Sequence, residues 1–153
     1  MKYWILGVAL IAVLMLGISG CNSVRKVTLS QVPLPARTTI EKLIAGGEIK
    51  MIEKETANGK TVYDVEAKVK DKDVEYDVAS DGTILTSSES VPYDLLPAAV
   101  KQAAQKYFGS AEGLNASKEI EKDKTYYEVE GKKGGKAIAL KLDDKGKITE
   151  EEK

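Results

Sequence analysis

Between residues 62 and 78 the chain alternates apolar and polar side chains with the period of a β-strand. Tyr63, Val65 and Ala67 are separated by Asp64 and Glu66, and residues 74–78 alternate in the same way. Residues 126–142 repeat this pattern. Because successive side chains of a strand point to opposite faces, each run predicts one face for a core and one for water. Dipeptides that favour tight turns separate the runs: Asn58-Gly59, Asp81-Gly82, Gly134-Gly135 and Lys145-Gly146.

A helix with one apolar face is predicted ahead of each group of strands. Ile40, Leu43 and Ile44 have the spacing of a single helical stripe. The second stripe consists of Val100, Ala103, Ala104 and Tyr107. Pro35 and Pro97 lie where proline is tolerated, in the first helical turn. The predicted order is a helix followed by an antiparallel meander of three or four strands, written twice, which is typical of the α+β class.

The second half of the chain repeats the first. With a shift of 64, segment 54–84 falls on segment 118–148, and eleven positions are identical, Tyr63 and Val65 among them. Further upstream, Leu34-Pro35-Ala36 aligns with Leu96-Pro97-Ala98 at a shift of 62, which predicts two extra residues near the end of the second helix. Such a period indicates a tandem pair of units rather than one irregular domain.

The first twenty residues have a different character. Lys2 is the only charge before Arg25, and residues 3–20 are uncharged and mostly apolar. A positive start, an apolar stretch and small residues at its end predict a secretory signal peptide over residues 1–20. An uncleaved membrane-spanning helix is the alternative, because an apolar run of this length just suffices to span a bilayer.

The end of this segment, Ile18-Ser19-Gly20-Cys21, resembles the lipobox of bacterial lipoproteins. The resemblance implies that the Cys21 thiol receives a lipid and that the signal peptide is cut between Gly20 and Cys21. Residues 21–33 then form a tether to the membrane. We expect the protein in the bacterial cell envelope, exposed to the periplasm or the cell exterior, with the choice between inner and outer membrane open.

The composition excludes several kinds of chemistry. Lys and Arg number 23 against 24 Asp and Glu, a formal net charge of −1, so no basic excess exists to bind nucleic acid. The chain has one Cys and no His, which excludes an intrachain disulfide, Cys/His zinc sites and His-based acid–base catalysis. We therefore expect no catalytic residue, no metal and no cofactor.

Some polar clusters could suggest a catalytic or metal-binding site, but a role in a turn or a linker explains them better. Asp71-Lys72-Asp73 and Asp143-Asp144 suggest a cation site, but neither has the alternating acids of an EF-hand loop, and Asp is favoured in turns for backbone reasons. Ser87-Ser88-Glu89-Ser90 offers hydroxyl groups without a His, and we interpret it as the linker between the units.

The outward positions of the predicted strands are better candidates for function. Tyr126 shares the outer face of its strand with Glu130, and Glu66 holds the position of Glu130 in the first unit. We predict Glu66, Tyr126 and Glu130 as part of an interaction surface, because aromatic and polar side chains suit reversible protein contacts. Other tyrosines, such as Tyr63 and Tyr127, fall on apolar faces and are predicted to pack in the core.

The whole pattern resembles a PepSY domain. The elements of this pattern follow one another along the first unit, and residues 35–85 match best: Leu-Pro-Ala, a short helix, Gly-Gly, Lys-Glu, Asn-Gly-Lys, Thr-Val-Tyr-Asp-Val-Glu and Asp-Gly-Thr-Ile-Leu. Residues 97–149 resemble a more divergent second copy. The pair is similar to the PepSY-like group that shares a tandem fold with the β-lactamase inhibitor protein, although the disulfides of that protein have no counterpart here. The resemblance implies a non-catalytic envelope module with a role in regulating peptidases, and it supplies no catalytic residue.

Together these observations predict two repeats, 34–88 and 89–153, each a helix packed on a three- to four-stranded antiparallel sheet, after an N-terminal signal helix. The leading hypothesis is a lipid-anchored interaction module that binds, regulates or inhibits an envelope protein such as a peptidase. The alternative is a sensor or small-ligand-binding lipoprotein with its site between the two sheets. A buried apolar groove between the units would favour the alternative, and an exposed sheet face would favour the interaction module.

Overall fold

The computed structural model describes residues 23–57 and 59–152. Within these ranges the chain is mostly antiparallel sheet. Its strands are β1 (Ser23–Lys26), β2 (Glu48–Ala57), β3 (Lys60–Val69), β4 (Lys72–Ala79), β5 (Ile84–Ser90), β6 (Asn115–Glu121), β7 (Lys124–Lys133), β8 (Lys136–Asp143) and β9 (Ile148–Glu152). Two helices, α1 (Leu34–Leu43) and α2 (Ala98–Phe108), each follow a short 3₁₀ turn, at Leu29–Gln31 and Tyr93–Leu95.

All nine described strands form one sheet in chain order, each antiparallel to its neighbours. The antiparallel sheets expected of the two repeats are therefore continuous with each other. β5 joins the halves, because it pairs with β4 through Val74↔Glu89 and with β6 through Ser87↔Ile120. Ser87-Ser88-Glu89-Ser90 is thus a strand and not the predicted linker, and the predicted boundary between residues 88 and 89 falls within this strand.

The shared strand has two roles in the repeat. The shift of 64 found in the sequence places the pair Ser23↔Thr56 of β1 and β2 on Ser87↔Ile120 of β5 and β6. The same shift places Ile84, the first residue of β5, on Ile148, the first residue of β9. β5 is therefore the last strand of the first repeat and the first strand of the second.

The shift of 64 residues between the repeats also holds for the helices. Helix α1 begins at Leu34 and α2 at Ala98, two positions that the same shift superimposes, and the residues that cap their N-termini are Pro33 and Pro97. The upstream alignment at a shift of 62 is therefore wrong, since Pro97 corresponds to Pro33 and not to Pro35. Proline suits this place because its lost N–H is not needed for helical hydrogen bonding there.

The helices lie against one face of the sheet, which we call the helix face. Ala36 and Ile40 of α1 are fully buried in one hydrophobic cluster, and Val100 and Ala104 of α2 are fully buried in another. The strands contribute to the first cluster Ile52, Tyr63, Val65, Ala67 and Val78. They contribute to the second Val129, Ile138, Leu140 and Leu142. The predicted strand alternation is confirmed, because all these positions point to the helix face.

Gly20, Cys21 and the predicted signal peptide lie outside the described residues. Among the described residues, no helix has both the length and the apolar character needed to cross a membrane.

Candidate functional site

The second face of the sheet, which we call the open face, carries mostly polar side chains. Its residues alternate with those of the two clusters, so none of its strand positions belongs to either hydrophobic cluster. Among the described residues, neither helix packs on it. The acidic side chains in its central strands are Glu53, Glu55, Asp64, Glu66, Glu75, Asp77, Glu119, Glu121, Glu128 and Glu130.

Six of these acids form a patch in the first repeat, which we call the acidic patch: Glu53, Glu55, Asp64, Glu66, Glu75 and Asp77. The register brings like charges directly opposite one another, since Asp64 pairs with both Glu53 and Asp77, and Glu66 pairs with Glu75. Side chains at such positions have their Cβ atoms about 5 Å apart, and like charges there destabilise the sheet. Within the described residues, the register places a cation, Lys26, opposite Glu53 at the edge of the patch and none between the other facing acids.

The most closely grouped carboxylates of the patch belong to Glu53, Glu55 and Asp64. One oxygen of each lies within 4.8 Å of the others. The Oδ1 atom of Asp64 is buried and accepts no hydrogen bond from the described residues. Oxygen atoms at this spacing suit a hard cation or a positively charged side chain.

Burial and mutual repulsion change the acidity of the patch. Burial, followed by the charges of neighbouring acids such as Asp77, raises the pKa of Asp64 to about 7. The same causes raise the pKa of Glu75 to about 9. Burial also raises the pKa of Asp77 to about 6, although a hydrogen bond with Thr86 opposes the shift. The patch therefore binds protons near neutral pH, where isolated carboxyl groups are fully ionised.

In the second repeat, a lysine lies among the acidic side chains of the open face. Lys141 is the counterpart of Asp77 in the repeat, and its Nζ donates to Glu119 Oε1 at 2.8 Å and to Glu121 Oε2 at 3.4 Å. The ammonium also lies 4.8 Å from the centre of the Tyr126 ring. Burial acts to lower the pKa of Lys141, but the hydrogen bond and charge of Glu119 more than offset it and leave that pKa raised. A largely buried cation thus pairs with Glu119 and Glu121, although burial and the charge of Glu130 still raise the pKa of Glu128 in the same repeat to about 7.

The repeated architecture agrees with comparisons to known proteins. The sequence model of a family described as "putative beta-lactamase-inhibitor-like, PepSY-like" matches residues 21–86 and again residues 84–150. The chain belongs to this PepSY-like family. The two matches overlap at residues 84–86, which lie in the shared strand β5. No curated protein matches the sequence.

Two solved structures have the PepSY-like fold of this chain. A protein described as "putative periplasmic" from Bacteroides eggerthii aligns with a TM-score of 0.62 and 14% identity, covering 79% of this chain and 88% of that one. A BLIP-like protein from Bacteroides fragilis aligns with a TM-score of 0.55 and 16% identity, covering 77% and 83%. These likenesses concern the fold.

The three residues predicted as an interaction surface all lie on the open face. Glu66 pairs with Met51 and Glu75, Tyr126 pairs with Glu119, and Glu130 pairs with Asn115. The structure places Glu66 inside the acidic patch, whereas Tyr126 and Glu130 lie in the second repeat. Their role in binding stays a prediction.

Asp143 and the core tyrosines agree with their simpler interpretations, whereas Asp73 lies in strand β4 and not in the predicted turn. Asp143 accepts hydrogen bonds from the backbone N–H groups of Lys145 and Lys147, so it stabilises its own turn. Tyr63 is buried in the first cluster, and Tyr127 packs against the second.

The acidic patch itself does not follow from strand alternation alone, which assigns each of its residues only to the polar half of a strand. A signal exists in the sequence, because Glu53 and Asp64 are equidistant from the Asn58-Gly59 dipeptide, and Asp64 and Asp77 are equidistant from the turn at 70–71. Combining alternation with cross-strand register reveals the facing acids.

A groove of about 420 Å³ lies on the helix side of the second repeat. Its lining residues are Ala103, Lys106, Tyr107, Lys133, Gly146 and Ile148. The Lys133 ammonium lies 3.7 Å from the centre of the Tyr107 ring. This groove belongs to one repeat and does not lie between the two, where the small-ligand alternative expected its site.

Proposed function

We propose that the protein is a non-catalytic, lipid-anchored module of the bacterial envelope that binds another envelope protein through the open face of its sheet. The observation that carries this proposal is the open face itself, since the helices pack on the opposite face and the described chain leaves this one uncovered. A broad polar sheet surface suits reversible contact with a protein rather than enclosure of a small molecule.

The envelope location rests on the sequence and on the relatives. The apolar segment that precedes Cys21 supports export and lipid attachment. The similar Bacteroides eggerthii structure is described as periplasmic, and the Bacteroides fragilis structure as BLIP-like. An inhibitor-like family supports a protein partner, and we propose an envelope peptidase as the first class of partner to examine.

Binding without catalysis fits the chemistry of the chain. It contains no His, and its clustered acids face one another across strands instead of flanking a cleft. The continuous sheet also removes the two-sheet interface that a small ligand was expected to occupy. An interaction module is therefore favoured over the sensor alternative.

Crosslinking in intact cells tests the proposal. A photoreactive amino acid at Tyr126 on the open face should capture a discrete envelope protein, and the same group at Lys106 on the exposed side of α2 should not. Capture that is equal from both positions would contradict the role of the open face. A reproducible hydrolytic turnover that disappears when one open-face acid is changed would contradict the non-catalytic role.

A further inference from the structure

At one pair of equivalent positions on the open face, the two repeats carry side chains of opposite charge. Lys141 of the second repeat corresponds to Asp77 of the first, while Glu119, its main ion-pair partner, corresponds to Glu55. The first repeat thus keeps an acid in the place of Glu119 and has a second acid, Asp77, where the second repeat has its central cation. Asp77 is 8% exposed, so water screens its charge poorly.

The remaining cations of the open face do not fill this gap. Its lysines other than Lys141 lie at strand ends and are exposed: Lys26, Lys60, Lys68, Lys124 and Lys132. Lys50 pairs with Asp73 at the border of the patch, where both side chains are about half exposed. The centre of the patch therefore has acceptors for a positive group that the described chain does not supply.

We propose that the acidic patch of the first repeat docks a protein surface bearing lysine or arginine side chains, one of which takes the place that Lys141 holds in the second repeat. The inference rests on the proposed function, because it names the chemistry of the partner of the open face. Charge complementarity supports the inference. In the second repeat, Lys141 shows that a cation at this position of the sheet pairs with the neighbouring carboxylates.

Proton binding supplies a signature of this docking. A cation favours ionised carboxylates, and the pKa of Asp64 is raised to about 7 and that of Glu75 to about 9. Docking therefore releases protons, and the affinity for a cationic partner rises between about pH 6 and pH 9. Asp64 and Glu75 act on each other, and the other charged groups that act on them are Glu53, Glu55, Glu66, Asp77 and Glu128. Asp77 also faces Glu119 and Glu121, which pair with Lys141.

The test uses fluorescence polarisation of a short labelled peptide of alternating lysine and threonine with the full-length protein in detergent. Asp77→Lys builds the lysine of the second repeat into the first and should weaken binding of this peptide at least about tenfold. Glu112→Lys changes the net charge equally in an exposed turn outside the open face and should weaken it less than about twofold. Asp77→Asn removes the charge at nearly constant volume, and it replaces Asp77→Lys in the binding test if the lysine variant does not fold.

Each result decides the matter. Loss of peptide binding in the Asp77 variants alone, with affinity rising with pH, supports the inference. Three results would overturn it. The first is an equal loss of binding in Glu112→Lys, and the second is equal binding of a glutamate–threonine peptide. The third is displacement of the lysine peptide by calcium chloride alone. If crosslinking from Tyr126 captures a protein whose capture Asp77→Lys leaves unchanged, the interaction module stands and this inference fails. If that crosslinking captures no protein, the proposed function itself fails.

Discussion

Gly82 lies against the backbone carbonyl of Pro35, so the turn between β4 and β5 packs directly on the first turn of α1. A Cβ added at Gly82 would lie 2.9 Å from that carbonyl oxygen. The second repeat has the same contact at the equivalent positions, because Gly146 approaches the carbonyl of Ala99. The oxygen atom of Gly82 also accepts a hydrogen bond from Thr39 at 2.9 Å. The repeat thus preserves a close contact between helix and turn.

We expect Gly82→Ala to lower the free energy of unfolding by about 2–4 kcal/mol, because it adds backbone overlap to an unfavourable positive φ. Gly135→Ala is the matched control, since Gly135 also has a positive φ but an added Cβ would meet no atom within 4 Å. The control should lose only about 1–2 kcal/mol. Urea unfolding of both variants checks the difference, and equal losses would contradict the close contact.

Lys141 should be one of the more costly positions of the open face. Its side chain is 15% exposed and that of Glu119 is 11% exposed, so removal of the ammonium leaves a buried carboxylate unpaired. We expect Lys141→Met to destabilise the protein by about 3 kcal/mol at neutral pH. Chemical denaturation measures this loss.

The control for this prediction is the exposed ion pair between Lys50 and Asp73, whose side chains are 46% and 53% exposed. Lys50→Met should change stability by no more than about 0.5 kcal/mol. If both methionine variants lose the same amount of stability, the pairing of Lys141 with Glu119 and Glu121 has no special importance for the fold.

The sequence predicted the parts of the fold that alternate clearly. Tyr63 and Val65 point to the core because their strand is half buried, and period two alone reveals this. β5 could not be predicted in this way, since Ser87-Ser88-Glu89-Ser90 carries no apolar alternation. It becomes a strand because hydrogen bonds to β4 and β6 satisfy both of its edges. Tertiary context therefore decides its structure.

The candidate site was predicted only in outline. Alternation placed Glu66 and Tyr126 outward, as the structure shows, but it could not reveal that Asp77 on the same face is largely buried. Asp77 lies between two strands, opposite Asp64 and Thr86, and a single strand pattern does not contain these neighbours. The exchange of Asp77 for Lys141 is visible in the sequence once the two repeats are superimposed, and only the structure shows its electrostatic importance.

The lipid anchor gives a prediction that does not depend on the folded domain. Replacing Cys21 by Ser removes the only thiol of the chain, so lipid attachment and cleavage before residue 21 should both stop. We expect an unprocessed precursor that keeps residues 1–20. Intact-mass measurement of the membrane-extracted protein distinguishes this from a lipidated chain that begins at Cys21. A wild-type chain with an unmodified thiol would contradict the lipoprotein hypothesis.

The acidic patch should make stability depend on pH in the direction opposite to that of ordinary acid denaturation. The pKa values of Asp64, Glu75 and Asp77 are raised to about 7, 9 and 6 in the folded protein, from ordinary values near 4. Between these limits the folded state binds more protons than the unfolded state, so the free energy of unfolding rises as pH falls from about 9 to about 4. Thermal unfolding at a series of pH values measures this slope.

Isosteric variants identify the groups responsible. Glu75→Gln and Asp64→Asn mimic the protonated carboxyl groups, so each should raise the melting temperature above pH 8 and flatten the slope below it. Glu112→Gln, in an exposed turn, is the matched control and should leave the slope unchanged. Because the groups repel one another, the double variant should gain less than the sum of the single variants. A wild-type stability that falls steadily from pH 9 to pH 4 would show that the facing carboxylates are neutralised in another way.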